Sequence, residues 1–345
     1  MNNFGSSFIK NFTISEAEKL FRDLDEKPYR ATQLFAWLYG KNCDSFDDMS
    51  NFSKDLRNYL NQNFIVNPLV CEQKLVSEID GTEKYLFKTV DDHYIESVLI
   101  KNEESDSGRL TICISSQIGC QMGCTFCSTA KIPFIRNLEA AEIIDQICQV
   151  RRISGLNNNN IVFMGMGEPF MNYDNVIKAA NIMNYSFGLH ISVRKITIST
   201  CGILPRINQF IDEGHLFNLA VSLNDTDTTK RSETMPVNKK WPIEDIAALF
   251  NKKMPKAHNR LTLEYVMRKD NISRADALRL KKMFKYSRIK LNLIPLNGEG
   301  TPSENDISSF IKELEILNIP ITVRKSLGRD INGACGQLSG QKYRK

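Results

Sequence analysis

No run of eighteen apolar residues occurs anywhere in the 345 residues, so the chain offers no candidate for a membrane-spanning helix. The first twenty residues, Met1 to Leu20, mix Asn, Ser, Lys and Glu, and the apolar heart of an export signal is missing. Nine cysteines are present, yet they show no paired spacing of the kind that frames a disulfide scaffold. These absences point to a reducing compartment, and a cytoplasmic location is the expectation. Nor is there a strong charge bias. A net charge of +5 suits a nucleic-acid partner but suits many other enzymes equally. What is present is an ordinary globular composition, 42% hydrophobic and 25% charged. The chain is long enough for roughly two or three units around a sizeable core.

The most concentrated chemistry lies in Cys120-Gln-Met-Gly-Cys124-Thr-Phe-Cys127, with Gly119 and Gly123 loosening the backbone between the thiols. Thiolates at this spacing can converge on one soft metal centre. A structural zinc takes four ligands, and no fourth sits nearby; Cys113 falls on a strand pattern and Cys148 in a helical one. Three thiolates on a 4Fe–4S cluster leave one iron open, and open positions serve chemistry. Spacing alone leaves iron–sulfur, zinc and coincidence all standing. The CxxxCxxC pattern resembles the signature of radical S-adenosylmethionine (SAM) enzymes.

In chain order, residues 13–64 read as helical: Glu16–Asp23 behind a Ser15 cap with Glu18 at the capping-box offset, Tyr29–Tyr39 ending at Gly40, and Lys54–Asn63 behind Ser53. Tyr85–Phe87 and Tyr94–Ile100 flank Asp91-Asp92 and read as a β-hairpin, with Glu96 on its second strand. From Arg109 onward six strand patterns alternate with amphipathic helical stretches. Repeated βα units predict an α/β fold with a parallel sheet, closed as a barrel or open. Loops after the C-terminal ends of such strands are where sites form. The polar segments fall there: Cys120–Cys127, Gly165-Met-Gly167-Glu168-Pro169, Ser199-Thr200, Ser222-Leu223-Asn224 and Pro295-Leu-Asn297.

This ordered set, completed by Ala334-Cys335-Gly336-Gln337-Leu338, resembles the dual-specificity radical SAM RNA methyltransferases (RlmN-type), which act on adenine C2 of 23S rRNA and tRNA. The likeness runs from about Lys27 to Leu338. It implies a partial (βα)6 radical SAM barrel over residues 109–325. Around it stand an N-terminal small helical domain (1–70), a β-hairpin extension (71–108) and a C-terminal segment with a basic tail (326–345). It implies Cys120, Cys124 and Cys127 as ligands of one 4Fe–4S cluster. Gly167, Glu168, Ser199, Ser222, Leu223, Asn224 and Asn297 match SAM-binding positions, although Asn224 stands where the family more often has histidine. A glycine lets a cofactor approach the backbone, and a carboxylate can hold its ammonium group. Read without the resemblance, the same residues are a tight turn and helix N-caps.

The resemblance further implies two SAM molecules per turnover and a ping-pong route. Cys335 is methylated, its methyl carbon is joined to adenine C2, Glu96 accepts the C2 proton, and Cys113 resolves the covalent RNA–protein adduct, leaving a Cys113–Cys335 disulfide. A flavodoxin-type reductant would restore the thiols, and a monomer is expected. Cys335 lies in a glycine-flanked, exposed-looking turn, Gly333-Ala-Cys-Gly336, where a nucleophilic thiol would be accessible. The plainer reading of Cys113 and Cys335 is a buried small hydrophobe, the usual fate of free cysteine, and that of Glu96 a solvent-facing charge. Asp145, Cys43, Cys71, Cys148 and Cys201 read as structural.

Lys27, Arg30, Lys41, Lys54 and Arg57 near the first helices are candidate phosphate contacts, as are Lys131, Arg136, Arg194, Lys325, Arg329 and the tail Lys342–Lys345 around the mouth. Three rival readings stand beside this one: an adenine-C8 methyltransferase of the antibiotic-resistance type, a radical SAM enzyme with another substrate, and a zinc-stabilised RNA-binding module. Gly-Glu-Pro and the N-terminal Lys27-Pro-Tyr-Arg30 resemble the C2 family rather than the C8 relative.

Overall fold

The computed structural model of the chain describes residues 7–102, 109–157, 159–253, 261–285, 289–296 and 300–340. The N-terminal unit holds α1 (Ile14–Asp23), α2 (Arg30–Phe35) and α3 (Lys54–Asn63), closed by a short parallel pair, β1 (Ser7–Phe8) and β2 (Phe64–Ile65). The cap of α1 is Thr13 rather than Ser15. The Glu16 N–H donates to the Thr13 hydroxyl at 3.3 Å, and the Glu16 carboxylate accepts from the Thr13 N–H at 2.7 Å. Starting there places Ile14 with Ala17 and Phe21 on the core-facing stripe. The helix expected through Tyr39 gives way after Phe35 to a π-turn over Ala36–Gly40, closed by the Lys41 N–H on the Ala36 carbonyl.

Ten strands form the main sheet. On one side β3 (Leu69–Val76), β4 (Glu83–Thr89), β5 (Tyr94–Asn102) and β6 (Arg109–Cys113) run antiparallel. The hairpin expected around Asp91-Asp92 is β4–β5, with Leu86 opposite Glu96. The sheet passes through β6 without a break into a parallel half: β9 (Asn160–Phe163), β10 (Ile196–Thr200), β11 (Asn218–Ser222), β12 (Leu261–Met267), β13 (Ile289–Pro295) and a short β14 (Ile321–Val323). A separate antiparallel pair, β7 (Gln117–Ile118) and β8 (Arg136–Asn137), brackets the cysteine loop. The parallel strands are Ile-, Leu- and Val-rich because both their faces are covered. Their connections carry α4 (Ala140–Ser154), α5 (Tyr173–Asn184), α6 (Leu204–Asp212), α7 (Thr228–Thr234), α8 (Ile243–Lys253), α9 (Arg274–Met283) and α10 (Glu304–Leu314). The short α7 has no periodic signal in the sequence.

The helical unit seats on α4 through polar contacts as well as apolar ones. Lys10 and Asp145, both fully buried, form an ion pair. Lys10 also donates to Asn67 at 2.9 Å, and the second Asp145 oxygen accepts the Leu69 N–H at 3.1 Å. Asn42 donates to the Cys148 carbonyl at 2.8 Å. Asp145 is thus the structural anchor of the seam. Burial would push the Lys10 ammonium down, but Asp145 beside it holds it up. Breaking such a pair strands a buried charge, so Asp145→Ala is expected to cost about 3–5 kcal/mol. The check is a lowered urea midpoint that the apolar double variant Lys10→Met, Asp145→Leu largely restores.

Candidate active site

β6 leads into β7, and the β7–β8 pair closes the loop that carries Cys120, Cys124 and Cys127. Gly119 sits at φ +74°, and a Cβ there would lie 2.0 Å from the Pro133 carbonyl oxygen, so no side chain fits. Within the loop the Cys127 N–H donates to the Cys124 carbonyl at 3.2 Å, and the Thr125 N–H to the carbonyl of Thr234, the last residue of α7, at 3.0 Å. All three cysteines are half-buried. Burial pushes Cys120 up to about 11 and Cys124 up to about 12, and the neighbouring thiols and Glu168 add to the shift. Such a group gains most from a metal that holds its sulfurs as thiolates. Among the described residues, no three Cys, His, Asp or Glu side chains are gathered as a ready-made site for a bare metal ion.

The C-terminal segment crosses from the hairpin arm to this loop. Ser77 and the Glu78 N–H hold Asp330, at 2.7 and 3.0 Å, and the Gly328 N–H donates to Asp80 at 2.7 Å. Farther on, the Ser128 N–H donates to the Gly336 carbonyl at 2.7 Å, and the Thr129 hydroxyl to the Leu338 carbonyl at 2.8 Å. The Ser339 and Gly340 N–H groups donate to one Glu96 oxygen at 2.7 and 3.2 Å, and Lys84 pairs with the other at 3.2 Å. Glu96 is fully buried, not solvent-facing.

This clamp sets Cys335 beside Cys127, facing Cys113 at the end of β6. Each of these thiols is free. Cys335 lines a cavity of about 710 Å³ inside the barrel, with Thr111, Met164, Asn292, Ile294 and Arg324. Cys113 is buried and its thiol is pushed up to about 12, first by burial and then by Cys335. Cys335 is exposed, yet partial desolvation of its sulfur raises the thiol, and the Arg324 guanidinium opposes that shift.

The candidate cofactor residues meet at the C-terminal ends of the parallel strands. Gly167, at φ +95°, has no room for a Cβ against Gln117. Glu168 is buried, accepting the Phe170 and Cys201 N–H groups at 2.9 and 2.7 Å, and desolvation raises its carboxyl. Ser199 caps no helix; its hydroxyl donates to Glu264 at 2.8 Å. The Leu223 and Asn224 N–H groups donate to the Glu264 carbonyl at 2.8 and 3.2 Å, and Ser222 pairs with Glu264 in the sheet register. Asn224 sits at φ +56° and turns its side chain onto the Val266 N–H at 3.1 Å. Asn and His are both over-represented in that left-handed region, so the exchange of histidine for Asn224 leaves the backbone turn intact. Asn297 and the tail Lys342–Lys345 lie outside the described residues.

Comparisons with known proteins place this geometry. Residues 9–66 match the ribosomal RNA large subunit methyltransferase N-terminal domain, and residues 114–280 the radical SAM superfamily. A probable dual-specificity RNA methyltransferase RlmN of Clostridioides difficile is 41% identical over 342 residues, covering 97% of this chain and 98% of that one. Its counterpart in Aquifex aeolicus is 43% identical over 347 residues, covering 97% and 98%. A radical SAM methyltransferase structure from Sphaerobacter thermophilus superposes with a TM-score of 0.90 at 35% identity, covering 97% of this chain and all of that one. The chain belongs to the RlmN family.

Within this RlmN chain three site residues escape a sequence reading. Glu264 on β12 is buried, with Ser199 on one oxygen and no hydrogen-bond partner on the other. Its signal was a lone acid inside an otherwise apolar parallel strand. Arg231 on α7 is fully buried; it donates to the carbonyls of Cys201, Ser222 and Leu223 and to the Asn238 side chain, at 2.6–2.9 Å. Burial pushes its guanidinium down to about 10. Arg324, just past β14, stands between Cys113, Cys335 and Glu264. No periodic pattern announces either arginine.

Two candidate phosphate contacts are reassigned. Arg136 is spent on a double ion pair, to Asp91 and Glu142, both at 2.7 Å. Arg194 precedes β10 and lies at the end of the sheet opposite the cysteine loop.

The residues fit a cluster with SAM: a three-thiol loop held open by glycine, and a buried carboxylate oxygen left without a donor beside the cofactor positions. Because Gly119 cannot accept a Cβ, Gly119→Ala is expected to distort the loop and cut iron bound per chain by more than half. Iron and sulfide analysis of anaerobically reconstituted protein checks this.

Proposed function

We propose that the chain is a radical SAM RNA methyltransferase that places a methyl group on C2 of an adenine in 23S rRNA and in tRNA. The observation that carries the reading is the clamp that holds Cys335 beside Cys127 and opposite Cys113, with both Cys113 and Cys335 free. Adenine C2 is electron-poor and a weak nucleophile, so a direct methyl transfer from SAM is disfavoured. A protein-borne carbon offers a way round. When bound at Cys120, Cys124 and Cys127 and at the strand ends, the cluster and SAM supply methyl groups and a carbon-centred radical.

The residues of the chain carry the rest. Cys335, as thiolate, accepts a methyl group and becomes a thioether; the same carbon, after hydrogen removal, bonds to C2 and ties RNA to the protein. Glu96 takes the C2 proton, and the adduct radical gives up one electron, for which the bound cluster would be the acceptor. In the present arrangement the Glu96 carboxylate is occupied by the Ser339 and Gly340 N–H groups, so the proton transfer requires that strand to yield. The Cys113 thiolate then attacks the Cys335 sulfur. The carbon leaves with the RNA holding the electron pair of the broken C–S bond, takes up a proton, for which protonated Glu96 is the source, and becomes a methyl group. A Cys113–Cys335 disulfide remains for an external reductant, of flavodoxin type, to reduce. The chain acts as a monomer in the cytoplasm.

The target base must leave its stack to enter the barrel cavity. Lys131 and Arg329 are exposed, and Lys325 lines the cavity; with phosphates as their partners, RNA affinity falls as salt rises.

Three outcomes test the proposal. Mass spectrometry of an in vitro modified rRNA fragment should show 2-methyladenosine, lost to background in Cys335→Ala; 8-methyladenosine instead would assign the C8 chemistry. Cys113→Ala should accumulate an RNA–protein adduct visible as a shifted band in a denaturing gel. Because partial desolvation raises the Cys335 thiol, its thiolate is a minor species at neutral pH. The rate of Cys335 methylation should therefore rise about tenfold per pH unit below that raised pKa, as followed by intact-protein mass. A rate that is flat with pH would remove the thiolate from this step.

A further inference from the structure

A buried carboxylate oxygen with no donor is costly unless something else supplies one. Glu264 has such an oxygen. One side of its carboxylate takes the Ser199 hydroxyl at 2.8 Å, and the other takes no hydrogen bond from any of the described residues. Arg324 stands near enough to be felt electrostatically, yet its guanidinium donates to the Met164 sulfur, at 3.6 Å, and not to Glu264. The unpartnered oxygen therefore sits at the strand ends that carry Ser199 and Ser222, in a carboxylate close enough to Cys113 and Cys335 to act on both electrostatically.

We infer that Glu264 is a cofactor-binding residue whose unpartnered oxygen accepts a hydroxyl of the SAM ribose. The inference rests on the SAM reading of the barrel and deepens it. Connectivity supplies the reason. In SAM the sulfonium that donates its methyl group is one bond from the 5′-carbon, which is one bond from the ribose ring. A cofactor that reacts at Cys335 brings its ribose close to the groups around that thiol, and Glu264 is near enough to act on it electrostatically. The amino-acid end of SAM has a different partner. Glu168 faces Cys120 and Cys124, on the cluster side. An ionised carboxylate is the acceptor suited to a vicinal diol, as where an acidic residue holds the ribose of a bound dinucleotide.

Anaerobic calorimetry on the cluster-loaded full chain tests this with S-adenosylhomocysteine and its 2′,3′-dideoxy analogue. Wild type should prefer the hydroxylated ligand by about ten- to a hundredfold, the range of a hydrogen bond to a charged acceptor. Glu264→Ala should bind the two ligands equally, and the isosteric Glu264→Gln should keep only a few-fold preference. Cluster absorbance and melting temperature show whether each variant is folded; should the Ala variant fail to fold, the Gln variant alone decides. A preference undiminished in the variants, equal loss for both ligands, or a wild type that binds both alike overturns the assignment. A wild type that binds neither ligand overturns the cofactor reading beneath it, a distinguishable result.

Discussion

The site depends on how residues 328–340 are clamped between the hairpin arm and the cysteine loop. Asp80, Ser77 and Glu96 grip the segment from one side, and Ser128 and Thr129 grip it from the other. All of these contacts reach across more than two hundred residues of sequence. They bring a thiol from the last turn of the chain to the end of a strand near its beginning. Without them Cys335 would belong to a loose, glycine-rich terminus, and terminal residues order only when tied down.

Buried charge is the second constraint. Arg231 has no apolar role; it gathers carbonyls from three different loop residues and so holds the ends of β10 and β11 in one arrangement. Lys84 and Glu96 do the same for the arm and the terminal segment. Each such group is expensive to bury and worth keeping where it fixes geometry, because leaving any partner unmatched costs more than the bond returns. Glu264 departs from this pattern, with one oxygen satisfied and one left without a partner.

The parallel half of the sheet was legible because β-strands buried on both faces are short apolar runs, and the helices between them have 3.6-residue periodicity. Polar residues at strand ends stood out against that background, which is how Ser199, Ser222 and Glu168 could be picked. Other features were hidden. The start of α1 moved from Ser15 to Thr13 because both residues can cap, and the packing of half-buried Ile14 against the core, beside Ala17 and Phe21, decides between them. Arg136 read as a phosphate contact because sequence does not reveal that Asp91, forty-five positions away, would reach it.

The sequence by itself determined the element types, the cysteine loop and the ordered motifs at the strand ends, since each is a local property of residue type and spacing. Tertiary structure alone decided that Cys113 and Cys335 come close enough to act on each other electrostatically, that Glu96 is a buried anchor, and that Glu264 and Arg231 are buried at the strand ends. Those facts depend on contacts between distant segments, which only the ten-strand sheet and a clamped terminus bring together. Local preference contains no term for them.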